Sequence, residues 1–103
     1  MRTTESEPRY VISVAARIIG VQTHTLRYYE RLGVITPSRS QGNIRLYSEH
    51  DIAQLRRIKT LMEDMGVNLA GVEVILRLSQ HMSQLQRRVE ELEAELEKRK
   101  EIS

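Results

Sequence analysis

The chain contains no cysteine, phenylalanine or tryptophan, and only two prolines and five glycines among its 103 residues. The lack of cysteine excludes disulfides, thiolate metal sites, iron–sulfur clusters and a cysteine nucleophile. The core must therefore come from Ile, Leu, Val, Ala, Met and Tyr. The three histidines fall on separate predicted elements without obvious metal or nucleophile partners, so we expect no metal site, no catalytic site and no enzyme.

Long hydrophobic runs are also missing, and every apolar stretch is interrupted by charge. The N-terminus lacks a signal-like segment, so we expect a cytoplasmic protein with no membrane partner. The net charge is only +2, but residues 1–60 carry ten Arg and Lys against five acids, whereas the remainder has a net charge of −3. This distribution is typical of a basic, polyanion-binding head followed by a solvated, partner-binding tail.

Residues 22–33, QTHTLRYYERLG, predict a short helix that Gly33 ends in a left-handed conformation. At helical spacing, Leu26, Tyr29 and Leu32 share the side that packs on a core. The opposite side carries cations and polar rings suited to phosphates and base edges: His24, Arg27, Tyr28 and Arg31. On one helix alone, such a face is usually only solvated.

The preceding residues favour a more specific interpretation. We expect Ser13 to cap a helix over residues 14–19 and Gly20 to end it with a sharp turn. The apolar side of this helix is expected to comprise Ala15, Ile18 and Ile19. Two short helices joined in this way predict a helix-turn-helix, whose second helix lies in the DNA major groove.

A β-hairpin is predicted over residues 34–47. Gly42 and Asn43 tolerate the positive φ of a turn, and residues 44–47 alternate apolar and polar side chains as an edge strand does. The outward groups, suited to a phosphate backbone or a minor groove, are Arg39, Gln41, Asn43 and Arg45. Alone this is an ordinary solvated hairpin, but directly after a helix-turn-helix it predicts a winged helix.

Two further helices follow the hairpin. Ser48 and Asp51 form a capping box that starts the first, and Gly66 ends it. Its expected buried stripe is Ile52, Leu55, Ile58, Leu61, Met62 and Met65. Its outer cations are either solvated or accessory phosphate contacts: Arg56, Arg57 and Lys59. Asn68 caps the next helix, whose packing residues are Leu69, Val72, Ile75 and Leu76.

From Ile75 onward, apolar residues recur in a heptad rhythm without an intervening Gly or Pro. A charged helix with one narrow apolar stripe is not stable alone in water, so we expect self-association. The expected dimer contacts are Met82, Leu85, Val89, Leu92 and Leu96. The flanking charges fit both parallel and antiparallel pairs, and a helix folded back on the head remains an alternative.

The expected fold is mainly α: a winged helix-turn-helix head with a small β-hairpin wing, followed by a long C-terminal dimerisation helix. The expected domains are a disordered lead-in at 1–8, a winged-helix DNA-binding domain at 9–78 and a coiled-coil dimerisation helix at 79–103.

Three segments carry a resemblance to a known family: residues 25–33 (TLRYYERLG), 42–47 (GNIRLY) and 66–72 (GVNLAGV). With them, the chain from Tyr10 to about Leu78 resembles the MerR family of bacterial transcription regulators. Residues 10–16 and 67–72 are similar to the heat-shock repressor (HspR) subgroup. That resemblance implies repression of chaperone operons with the chaperone DnaK as co-repressor. The family positions imply DNA contacts by His24, Thr25, Arg27, Tyr28, Arg31, Arg39, Asn43, Arg45 and Tyr47.

We therefore predict a sequence-specific transcriptional regulator: a homodimeric repressor of heat-shock genes that binds double-stranded DNA at an inverted-repeat operator without a cofactor. A nitrogen-control-type repressor is an alternative, because residues 39–43 also resemble that branch. A small architectural or recombination accessory protein would share the DNA-binding head. A protein-only coiled-coil adaptor would not need the basic face.

Overall fold

The computed structural model describes residues 5–102, so the first four residues of the predicted disordered lead-in lie outside the described part. Within these residues, four α-helices and three short strands follow one another in the order β1 (Tyr10–Val11), α1 (Ile12–Ile19), α2 (Thr23–Leu32), β2 (Ser38–Arg39), β3 (Arg45–Tyr47), α3 (Glu49–Lys59) and α4 (Leu69–Ile102). The predicted mainly helical class with a small sheet is confirmed. The described residues through Val72 form one compact unit, which we call the head, and those from Glu73 form a second.

The first helix begins earlier than the sequence predicts. Val11, extended at φ −71° and ψ 164°, takes the N-cap position and provides no side-chain cap. The prediction that Ser13 caps the helix is therefore wrong, because Ser13 lies inside α1 and is exposed. The buried side of α1 consists of Ala15, Ala16 and Ile19, whereas Ile18, which the sequence places on the apolar side, is 37% exposed.

Strand β1 explains this early start. Tyr10 pairs with Tyr47 and Val11 pairs with Leu46, both antiparallel, so the chain passes directly from the sheet into α1. The strand order is β1-β3-β2. The prediction of an edge strand at residues 44–47 is therefore wrong, because β3 lies at the centre of the sheet and pairs on both sides.

Glycines end both helices of the helix-turn-helix as predicted. Gly20 has φ 86° and donates its amide to the Ala16 carbonyl at 2.8 Å, and Gly33 has φ 82°. Because a side chain strongly disfavours this left-handed conformation, glycine is the residue that closes a helix so tightly. The turn after Gly20 lets α2 pack against α1, with Leu26 and Tyr29 buried in the core of the head.

The predicted capping box starts α3. The Ser48 hydroxyl accepts from the Asp51 amide, the Asp51 carboxylate accepts from the Ser48 amide, and both distances are 3.0 Å. After Lys59 the helix widens into a π-helical segment, Thr60–Asp64. The wider turn changes the helical register, and Met65 is 65% exposed. The predicted burial of Met65 is therefore wrong.

A single helix, α4, runs from Leu69 to Ile102, so the last two predicted helices are continuous. Asn68 caps it as predicted, and its side-chain oxygen accepts from the Gly71 amide at 2.9 Å. Val72 in its first turns is fully buried. No helix among residues 5–102 has the length and apolar character needed to cross a membrane.

Candidate nucleic-acid interface

One face of α2 carries four exposed side chains that the sequence predicts as DNA contacts: His24, Arg27, Tyr28 and Arg31. The predicted contact Thr25 is only half-buried on the same helix. The Arg27 guanidinium donates to the Thr23 hydroxyl at 3.3 Å, one turn earlier. The Arg31 guanidinium lies 5.8 Å from the centre of the Tyr28 ring. This face therefore presents two cations, an imidazole and a phenol. Arg27 is held by Thr23, and Arg31 lies against the ring of Tyr28.

The opposite side of α2 is anchored. Tyr29 is buried and its hydroxyl donates to the Glu63 carboxylate at 2.6 Å, which ties α2 to the π-helical segment. Burial, followed by the hydrogen bond to this carboxylate, raises the pKa of Tyr29 well above its ordinary value. The Gln54 side-chain amide donates to the Val34 carbonyl at 3.0 Å and holds the chain just beyond α2. Both contacts hold α2 through its buried side and its C-terminal end, and neither involves the exposed face that carries His24, Arg27, Tyr28 and Arg31.

We expect Tyr29→Phe to lower the free energy of unfolding by about 1 to 2 kcal/mol, because it removes a hydrogen bond to a partly exposed carboxylate. Urea denaturation measures this loss. In the wild type, the raised pKa of Tyr29 adds stability that is complete below pH 10 and declines as pH rises further, because the unfolded tyrosine ionises first. Tyr29→Phe should therefore lose less stability than the wild type above pH 10, and an identical alkaline decline in both proteins would contradict this role.

The wing consists of β2, β3 and the turn between them. The Ser40 amide donates to the Ile44 carbonyl at 2.9 Å, and the Asn43 amide donates to the Ser40 carbonyl, also at 2.9 Å. Asn43 has φ 61°, as predicted for a turn residue, and is exposed together with Gln41. The wing therefore presents polar groups at its tip and arginines at its base.

The two arginines of the wing, Arg39 and Arg45, converge on α2. The Glu30 carboxylate of α2 accepts from Arg45 Nε at 2.7 Å and from Arg39 Nη2 at 3.0 Å. The hydrogen bond from Arg45 holds the pKa of the Glu30 carboxyl below its ordinary value, and the charges of both arginines add to this effect. The same bond raises the pKa of Arg45. One carboxylate therefore joins α2 to both strands of the wing.

The sequence interpretation missed Glu30, although a signal was present. Glu30 is the only acidic residue between Tyr10 and Ser48, within a stretch that contains five arginines. A lone acid in such a segment is a strong candidate for an internal ion pair. Its partners could not be identified, since they depend on how the wing folds back on α2.

The sequence predicts Tyr47 as a DNA contact, but this residue does not lie on the surface. Its side chain is fully buried, and its hydroxyl has no hydrogen-bond partner among the described residues. Burial raises the pKa of Tyr47. Side chains two residues apart on a strand share a face, so Tyr47 lies on the side of β3 that Arg45 turns toward Glu30. Tyr47 therefore belongs to the core beneath the wing.

The second unit, from Glu73, carries the predicted heptad residues on an exposed helix. Leu78 and the five predicted dimer contacts have exposed fractions between 45% and 70%. Arg88 pairs with Glu91 at 3.1 Å on the same helix, which is an ordinary surface ion pair. The five predicted dimer contacts, which we call the seam, are therefore accessible.

Comparison with known proteins places these features in a family. The model of the MerR HTH family of regulatory proteins matches residues 10–79. A Streptomyces coelicolor protein assigned the name heat shock protein HspR is 47% identical over 94 residues, which are 91% of this chain and 62% of that protein. The regulator GlnR of Bacillus anthracis is 32% identical over 79 residues, which are 77% of this chain and 60% of that protein. The chain thus spans less than two-thirds of the length of these relatives.

Solved structures share the fold. HiNmlR, a MerR family regulator lacking the sensor domain and bound to promoter DNA, has a TM-score of 0.61 at 18% identity, over 88% of this chain and 75% of its own. A MerR family regulator from Bacillus cereus has a TM-score of 0.61 at 25% identity, over 90% of this chain and 73% of its own. The family model and these relatives confirm the resemblance to the MerR family and the prediction of a regulator rather than an enzyme. The chain belongs to the MerR HTH family of regulatory proteins.

Proposed function

We propose that the chain is a homodimeric transcriptional repressor that binds an inverted-repeat operator in double-stranded DNA. The observation that carries the proposal is the ion-paired junction at Glu30, which brings the exposed cationic face of α2 and the basic wing onto one surface. Two adjacent cationic elements suit a duplex, because one can enter the major groove while the other follows the phosphate backbone. Family membership and the DNA-bound relative HiNmlR support this assignment.

Within this surface we assign two kinds of contact. His24 and Arg27 read base edges, because they are exposed on α2 and an arginine pairs well with guanine. The backbone-positioning contacts are Tyr28, Arg39, Asn43 and Arg45. Thr25 and Arg31 complete the proposed contact set. Tyr47 is left out of the set because it is buried.

The proposed partner in the dimer is a second copy of the chain, held through α4. Its seam exposes five large apolar side chains in a heptad pattern, which is the pattern that pairs helices through knobs-into-holes packing. A palindromic operator requires two heads related by two-fold symmetry, and the seam supplies the means to join them. The contacts are Met82, Leu85, Val89, Leu92 and Leu96.

The regulated genes that we propose are heat-shock genes, with a DnaK-type chaperone as co-repressor. Support comes from the 47% identity to the protein named HspR. Nitrogen control ranks second, since the identity to GlnR is 32% over a shorter stretch.

Genomic footprinting of the full chain tests this function. We expect the protected sites to share one inverted repeat and to lie upstream of chaperone operons. Protection upstream of nitrogen-assimilation genes would support the second candidate and contradict the first. Protection with no shared sequence would indicate an architectural protein and contradict the proposed repressor.

The wing gives a separate expectation. Arg45→Ala should weaken binding to the footprinted operator and to scrambled DNA, and it should lower the slope of log K against log salt by about one, because one phosphate contact is lost. Salt titrations of the two duplexes measure this slope. Arg77→Ala, which removes an exposed charge from α4, is the control and should leave the slope unchanged. An unchanged slope for Arg45→Ala would remove this residue from the contact set.

A further inference from the structure

Glu30 presents an apparent contradiction in a DNA-binding surface. Its carboxylate lies on the recognition helix α2, where a negative charge repels phosphate, and its side chain remains 23% exposed. Both of its oxygens are nevertheless engaged, one by Arg45 and one by Arg39. Two guanidinium groups on one carboxylate leave a net charge of +1, so the cluster still attracts a polyanion.

The wing itself explains why a carboxylate is needed. Arg39 and Arg45 are direct register partners across β2 and β3. Like charges directly opposite each other on adjacent strands destabilise the pairing. Before any phosphate is bound, Glu30 is the group that compensates this repulsion. Arg39 also donates to the Asn43 carbonyl at 3.4 Å, so the arrangement extends to the tip of the wing.

We propose that Glu30 is a positioning residue: it holds both wing arginines against α2 in the free protein, so that recognition helix and wing meet DNA as one preset surface. This inference rests on the proposed function. It assigns Glu30 opposite effects on two modes of binding. In non-specific binding, which depends mainly on charge, the carboxylate weakens attraction. In operator binding, which needs helix and wing in register with base edges and phosphates together, the carboxylate contributes discrimination.

Glu30→Gln tests the proposal because it keeps the size and removes the charge. We expect binding to scrambled DNA to strengthen and its salt slope to steepen by up to about one. The ratio of operator to scrambled affinity should fall about fivefold, the scale of a partly exposed ion pair. Glu7→Gln, which removes the same charge from an exposed position of the head, is the matched control and should leave the ratio unchanged.

Two results would overturn the proposal. If both affinities rise by the same factor, Glu30 contributes charge alone. If both fall by the same factor together with the urea midpoint, its role is structural. In the Arg39→Ala and Arg45→Ala double variant, Glu30→Gln should not change the ratio, since the residues through which it acts are gone. A fivefold fall in that background would also contradict the proposal.

A readout without DNA separates this inference from the proposed function. Arg45 Nε–H donates to Glu30 in the free protein, so its hydrogen exchange, followed by NMR, should be about tenfold faster in Glu30→Gln. Equal exchange in wild type and variant would refute the contact itself. If the exchange differs but the wild type shows no operator preference, the proposed function fails while the contact stands.

Discussion

Leu92→Lys should give a folded protein that sediments as a monomer and binds the operator at least about a hundredfold more weakly than the wild type, because two linked heads gain that factor from their effective concentration. Leu92 is 45% exposed in α4 and is the fourth of the five residues of the proposed seam. A leucine buried by a partner contributes about 1.5 to 3 kcal/mol, and a lysine there adds the cost of a desolvated charge. The head does not include Leu92, so its fold should be unaffected.

Ala94→Lys is the matched control for this variant. Residue 94 lies two positions after Leu92, on the side of α4 away from the heptad seam, and it is exposed. The Ala94→Lys protein should remain dimeric and bind the operator with wild-type affinity. Sedimentation velocity and operator titration measure both properties, and circular dichroism checks the fold. If Leu92→Lys stays dimeric, or binds its operator normally as a monomer, then the seam does not join the subunits.

Arg27→Ala should weaken operator binding by about 1 to 3 kcal/mol and reduce discrimination against altered operators, because a bidentate contact to a base is lost. Arg27 is exposed, and its single described bond is the 3.3 Å donation to the neighbouring Thr23 hydroxyl, so its removal leaves the core of the head intact. Competition titrations with single-base operator variants measure the change.

Arg56→Ala, which removes an exposed cation from α3, is the control for Arg27→Ala. If Arg56 contacts phosphate, Arg56→Ala should lower the affinities for operator and scrambled DNA by the same factor, since a phosphate contact carries no sequence information. An unchanged preference of Arg27→Ala for operator over scrambled DNA would show that Arg27 does not read bases.

Elements specified by local chemistry could be predicted from the sequence. Gly20 and Gly33 end their helices because only a residue without Cβ accepts the required φ readily, and the Ser48 capping box is closed within four residues. The heptad pattern of α4 is likewise periodic over many turns. In each case, neighbouring residues of a single turn or helix determine the local structure.

The errors arose where distant segments meet. A two-residue strand such as β1 has no detectable period, and its pairing with β3 was therefore missed. That pairing places β3 at the centre of the sheet. Tyr47 at the end of this strand is buried, which removes it from the predicted contacts. The π-helical segment is an error of another kind, because it is a local change of period where the sequence pattern assumed an unbroken 3.6-residue period up to Met65.

The candidate site shows the same division. The exposed side chains of α2 followed from helical spacing alone, whereas the role of Glu30 depends on two strands that fold back over the helix. A sequence pattern places residues on a face of one element. It does not show which charge on another element will neutralise them, because that depends on tertiary geometry.

Sedimentation of the full chain with three duplexes tests whether two copies bind one operator: the footprinted inverted repeat, one half-site, and a scrambled sequence. We expect two chains to bind the repeat, with an affinity at least about a hundredfold higher than that of any complex on the half-site or the scrambled duplex. One chain per duplex, with equal affinity for the repeat and the half-site, would contradict this expectation.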